Sequence, residues 1–105
     1  MNLKALAEKI GLEEDEYREL AELFLETGRV DFEQMETALD AADADEVSRR
    51  AHTLRGASGN LGIMAVHEVA KRIEMAAIDN RLDDAAADAK ALKGLLDKVA
   101  LAVGR

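Results

Sequence analysis

The chain is predicted to be all-α: an up-down antiparallel four-helix bundle with a short extra helix at its N-terminus. Three observations predict this. Apolar residues recur at helical spacing nearly throughout, and no segment sustains the alternation of a strand. The composition is that of helices, with no proline, 3% aromatic and 49% hydrophobic residues, and with alanine, leucine, glutamate and lysine prominent. The breaks between periodic segments are short, which makes successive helices antiparallel neighbours.

The elements follow in order. A first helix runs from Leu3 to Ile10 and ends at Gly11. Glu13, Glu14, Asp15 and Glu16 load the first turn of the second helix, where the positive end of the dipole favours acids. Its inward stripe is Tyr17, Leu20, Phe24, Phe32, Met35 and Leu39. Gly28 interrupts it, which leaves either one long kinked helix or two helices in tandem. Residues 40–44 form a short loop, and Asp43 with Glu46 three residues later has the form of a capping box. The third helix, about 44–61, turns Val47, Ala51, Leu54, Ser58 and Leu61 inward, and the Ser58 hydroxyl is expected to bond back to its own helix. Gly62 leads into a fourth helix, about 63–79, with Val66, Val69, Ala70, Ile73 and Ala77 inward. Residues 80–82 connect to the last helix, about 83–103, which buries Ala89, Leu92, Leu96, Val99 and Val103. A single domain over residues 1–105 is expected, large enough for a core without disulfides or metal.

Composition also narrows the function. There is no cysteine, so a disulfide scaffold and a thiolate metal site are excluded. No long uninterrupted apolar run and no signal peptide is present, so a cytoplasmic, soluble domain is expected. The net charge of −8 is unevenly spread: residues 1–45 carry 14 acidic and 4 basic side chains, residues 46–105 carry 8 and 10. The acidic total argues against nucleic acid or an anionic membrane as partner. Between residues 46 and 62, however, Glu46 stands alone against Arg49, Arg50 and Arg55. This basic patch suits an acidic protein surface or a phosphoryl group.

At the centre of the patch is His52, followed by Arg55, Gly56, Gly59 and Gly62. Each glycine inside a helix costs about 1 kcal/mol relative to alanine, so backbone kept bare here points to a macromolecule that must approach closely. Helical residues advance by about 100°, which sets His52 roughly 140° from the inward Val47, with Gly56 near 180°, Gly59 near 120° and Arg55 on the flank near 80°. His52 thus points outward, with both glycines on its own face. On the fourth helix the same construction puts Glu74 on a flank, about 80° from Val66, and Lys71 about 140° from it. If the two helices are antiparallel, Glu74 approaches the His52 ring. A carboxylate holding the proton of one ring nitrogen fixes the tautomer and leaves the other as nucleophile. His67 has no comparable surroundings and is read as an ordinary surface residue.

The run from Ala51 through His52, Leu54, Arg55, Gly56 and Gly59 to Gly62 resembles the signature of histidine-containing phosphotransfer (HPt) domains: A-H-x-L-K-G, small residues, then a glycine ten after the histidine. The resemblance extends over nearly the whole chain. It implies that His52 takes a phosphoryl group from the aspartyl phosphate of a receiver domain and passes it to another receiver's aspartate. Arg55 stands where the family has lysine, keeping the charge that supports the phosphoryl oxygens. Gly56 matches the glycine that makes room for the receiver, and Glu74 a position where members carry glutamine or glutamate bonded to the ring. The resemblance further implies a monomer with no cofactor of its own, Mg²⁺ on the receiver, and response-regulator receivers and a hybrid histidine kinase as partners.

Three other functions compete with this reading. The phosphoacceptor module of a chemotaxis-type histidine kinase, phosphorylated in trans by an ATP-binding domain, also fits Glu74; nothing in the chain is itself a nucleotide-binding loop. A metal-dependent or histidine-nucleophile hydrolase is opposed by two histidines without metal-ligand spacing. A purely structural bundle is opposed by the glycines.

Overall fold

Left-handed stops at the turns divide the chain into five helices. The computed structural model describes residues 1–104, so residue 105 of the expected domain lies outside the described residues. The helices are α1 (Leu3–Lys9), α2 (Glu14–Asp40), α3 (Ala44–Asn60), α4 (Met64–Ile78) and α5 (Leu82–Ala102), and the described residues contain no strand. No helix among them is long and apolar enough to cross a membrane.

Side chains cap the first three starts. Asn2 Oδ1 accepts the Ala5 N–H at 3.0 Å. At the head of α2 the Glu13 N–H donates to Glu16 Oε1 at 2.9 Å, and Glu14, Asp15 and Glu16 occupy the first turn. Asp43 Oδ1 accepts the Glu46 N–H at 3.2 Å, as the capping box predicts. The Glu46 carboxylate faces the other way, accepting from Arg49 at 2.8 Å and Arg50 at 2.6 Å. Two guanidinium groups outcompete one backbone amide for it.

The four turns share one way of stopping a helix. Gly11, Ala42, Gly62 and Asn80 have φ of 74°, 53°, 71° and 56°. After each, the next N–H reaches back five residues, in the pattern of a Schellman motif: Leu12 to Ala7, Asp43 to Ala38, Ile63 to Ser58 and Arg81 to Ala76, at 2.7–2.9 Å.

α2 is one continuous helix through Gly28, not two in tandem. Gly28 is buried, and a Cβ there would lie 3.3 Å from Leu54 Cδ2 and 3.9 Å from Leu96 Cδ2. The glycine admits side chains from α3 and α5 to the α2 backbone. Leu20, expected inside, is instead 42% exposed. The buried stripe is centred on Ala21, Leu25 and Gly28, small residues among them that an apolar pattern underweights, and Leu20 falls off its edge.

α2 packs on α3 and α5, α4 packs on the same two helices, and α1 lies against α2. Polar ties follow these seams: Asp31 with Arg50 (3.2 Å), Arg29 with Asp97 (3.1 Å) and Arg72 with Asp88 (3.2 Å). Inside are Phe24, Met35, Val47, Leu54, Val66, Ile73, Leu92 and Leu96. Fully buried Tyr17 spends its hydroxyl on the Leu61 carbonyl at 2.6 Å, where α3 ends.

Candidate functional site

Val47, Ala51, Leu54 and Ser58 bury one stripe of α3, and that choice decides what the opposite face presents. The His52 side chain is 63% exposed. Glu74 on α4 is 8% exposed, an acid that needs a partner to be buried at all. It finds two. Oε2 lies 2.8 Å from His52 Nδ1, and Oε1 lies 3.1 Å from Arg55 Nη1. The second contact is an ion pair without the alignment of a hydrogen bond, and Oε1 has no other polar partner.

Arg55 Nη2 also stands 3.3 Å from His52 Nδ1. One ring nitrogen cannot donate to a carboxylate and accept from a guanidinium at once. The carboxylate only accepts, and its contact is the shorter, so Nδ1 carries the proton and donates it to Glu74. Nε2 then bears the lone pair. Arg55 lies beside the ring as a charge, held by Glu74.

The other expected residues divide. Gly56 is exposed, and a Cβ there would meet nothing within 4 Å. Lys71 is exposed on α4, one turn before Glu74, and among the described residues no hydrogen bond or ion pair joins it to His52, Arg55 or Glu74. Gly59 is not open. A Cβ there would lie 3.0 Å from His67 Nδ1 and 3.3 Å from its Cε1, so its bare backbone is taken up by α4. His67 is accordingly no free surface residue: it is half-buried, and its Nδ1 lies 2.9 Å from the Arg55 carbonyl oxygen. Ser58 behaves as expected, its buried hydroxyl donating to Leu54 O at 2.6 Å and Arg55 O at 3.2 Å.

The signal that would have found His67 is the length of the turn. Only Leu61, Gly62 and Ile63 separate α3 from α4. A turn that short sets residues equally far on either side of it against each other, Gly59 against His67 and His52 against Glu74. The helical wheel, which treats each helix alone, does not contain that pairing.

The family model of the Hpt domain matches this chain over residues 19–102. No curated protein and no solved structure matches it.

Proposed function

The chain belongs to the Hpt domain family, the phosphotransfer modules of two-component signalling, and from this premise we propose that His52 is the residue that carries the phosphoryl group. The observation that supports it is the pairing of an exposed ring with a buried carboxylate at 2.8 Å. Its consequence is a ring whose inner nitrogen holds the proton toward Glu74, which leaves the outer nitrogen of the neutral imidazole to attack.

The donor is the aspartyl phosphate of a receiver domain. The Nε2 lone pair forms the N–P bond as the aspartyl O–P bond breaks, and the electron pair leaves with the receiver's carboxylate. The Nδ1 proton stays on the ring, which becomes cationic beside Glu74. Arg55 offsets the charge of the phosphoryl oxygens, which is most of what phosphoryl transfer asks of a protein. The phosphoramidate keeps a high transfer potential, and a second receiver's aspartate takes the group by the reverse step. Mg²⁺ belongs to the receiver.

Family members are carriers without kinase activity of their own, and this chain is read likewise: a single domain, monomeric, its α2–α5 an up-down antiparallel bundle with α1 added. It would stand between a hybrid histidine kinase and response-regulator receivers, with Gly56 and Lys71 facing the incoming domain. The test is to incubate the protein with a phosphorylated receiver and map acid-labile phosphate. Label should appear on His52, and His52→Gln should fold yet take up none. Label persisting on that variant overturns the assignment.

A further inference from the structure

The polar contacts of His52 and the packing of His67 lie on one seam. Gly59 meets His67 and His52 meets Glu74 across the α3–α4 turn, each residue of one pair seven positions from its counterpart in the other. Seven residues are two helical turns, about 10.5 Å along either axis. The two contacts therefore sit in the same register on the same side of the helix pair. Between them runs a third tie, from His67 Nδ1 to the Arg55 carbonyl at 2.9 Å. A carbonyl only accepts, so His67 Nδ1 carries a proton and donates it.

Two features set this contact apart from ordinary packing. The three atoms nearest a Cβ at Gly59 all belong to the His67 ring, so the ring defines how closely α4 approaches α3 there. The acceptor it chooses is the backbone of Arg55, the residue whose side chain shares Glu74 with His52. His67 thus holds the main chain of the cation beside His52, while Glu74 holds its guanidinium.

We propose that His67 is a positioning residue for phosphotransfer at His52: seated on Gly59 and bonded to the Arg55 carbonyl, its ring fixes the spacing and register of α3 and α4 that bring Glu74 onto Nδ1. It touches neither the phosphoryl group nor the reacting nitrogen. Removing it leaves the bundle its core, since Val66, Ala70, Ile73 and Ala77 remain inside, but lets α4 shift against α3. A contact held to 2.8 Å does not survive a shift of half an ångström unchanged. The role rests on His52 being the phosphoacceptor, and the test separates the two.

The experiment compares His67→Ala, His67→Asn and Gly59→Ala with the wild type by three measurements: melting temperature, the ¹⁵N shifts that report the His52 tautomer, and the rate of phosphorylation by phosphoramidate. In the wild type the His52 proton resides on Nδ1. His67→Ala should move it toward the mixture of an unpartnered ring and slow phosphorylation about tenfold, as small misplacements of reacting groups do. Asparagine keeps a donor near the place of Nδ1, so His67→Asn should restore the tautomer and bring the rate within about threefold of wild type. Gly59→Ala displaces the ring and should act like His67→Ala. In the His67→Ala background the same methyl meets no ring and should change nothing further. An unchanged His52 tautomer in His67→Ala overturns the proposal, as does a Gly59→Ala effect of equal size with and without the ring. Should His67→Ala not fold, the asparagine variant and Gly59→Ala decide alone. The tautomer needs no phosphoryl donor, so a wild type that no donor labels refutes the phosphoacceptor role and leaves the coupling of His67 to His52 separately measured.

Discussion

A methyl group added to Gly56 meets nothing, and one added to Gly94 on α5 meets nothing either. Both are exposed positions inside helices, so alanine at either should stabilise the free domain by up to about 1 kcal/mol. Larger side chains should distinguish them. Gly56 lies one turn from His52 on its face, where the proposed receiver would rest. Gly56→Gln should fold normally yet slow transfer from a receiver tenfold or more, the effect of a misfit of about 1.4 kcal/mol, while phosphoramidate still labels His52. Gly94→Gln should leave both routes untouched. Melting curves and the two phosphorylation rates check this, and undiminished receiver transfer to Gly56→Gln would remove the docking role. The outward direction of His52 and Gly56 was legible from α3 alone, because the buried stripe of one helix fixes its opposite face. Gly59 was misjudged by the same construction. Its environment is made by His67, and a wheel drawn for one helix holds no information about the next.

At the scale of elements, the shared stop of the four turns makes one residue the exception. Glycine and asparagine adopt positive φ readily, and Gly11, Gly62 and Asn80 announce their turns in the sequence. Ala42, at φ 53°, does not. Alanine there carries roughly 1–2 kcal/mol of strain, offset in part because glycine would free the unfolded chain by about 0.4–1 kcal/mol. Ala42→Gly should therefore stabilise by about 0.5–1 kcal/mol. Alanine at Gly62 should destabilise by a similar amount. Thermal or urea unfolding of the two variants measures both, and a destabilised Ala42→Gly would mean that the turn is held by the Asp43–Ala38 bond rather than strained by its side chain. Helix boundaries were legible to within a residue or two for the same reason: caps and stops are local chemistry. The continuity of α2 through Gly28 was not, since the side chains that pack on that glycine, Leu54 and Leu96, lie far along the chain.

At the scale of the whole molecule, Tyr17 ties α2 to the end of α3 and makes the fold sensitive to alkali. Burial pushes its phenol above the ordinary 10.0, because the phenolate is poorly solvated there. In the unfolded chain the group ionises near that ordinary value; in the fold it resists. Its contribution to stability is thus complete below a pH of about 10 and is lost as the pH climbs toward the folded value. The unfolding midpoint should drop above that point. Tyr17→Phe should flatten the drop while lowering stability near neutrality by about 1 kcal/mol for the missing bond to Leu61. Parallel profiles for the two proteins would show that lysines, not Tyr17, set the alkaline limit. This tie was invisible to periodicity, which marked Tyr17 as core without saying where its hydroxyl goes.

The three-residue turn between α3 and α4 has one more consequence, for what lengths the chain can adopt. Everything polar at the site lies between His52 and Glu74, on the two helices that this turn joins. One residue inserted or deleted between Gly62 and His67 turns the rest of α4 by about 100°. It carries His67 off Gly59 and Glu74 off the ring in the same step. Such a change cannot be absorbed by repacking, because both contacts depend on one rotation. The stretch from His52 to Glu74 is thereby closed to changes of length, and any that the chain accepts must fall at the turns before α2, before α3 or after α4, where neither contact counts residues.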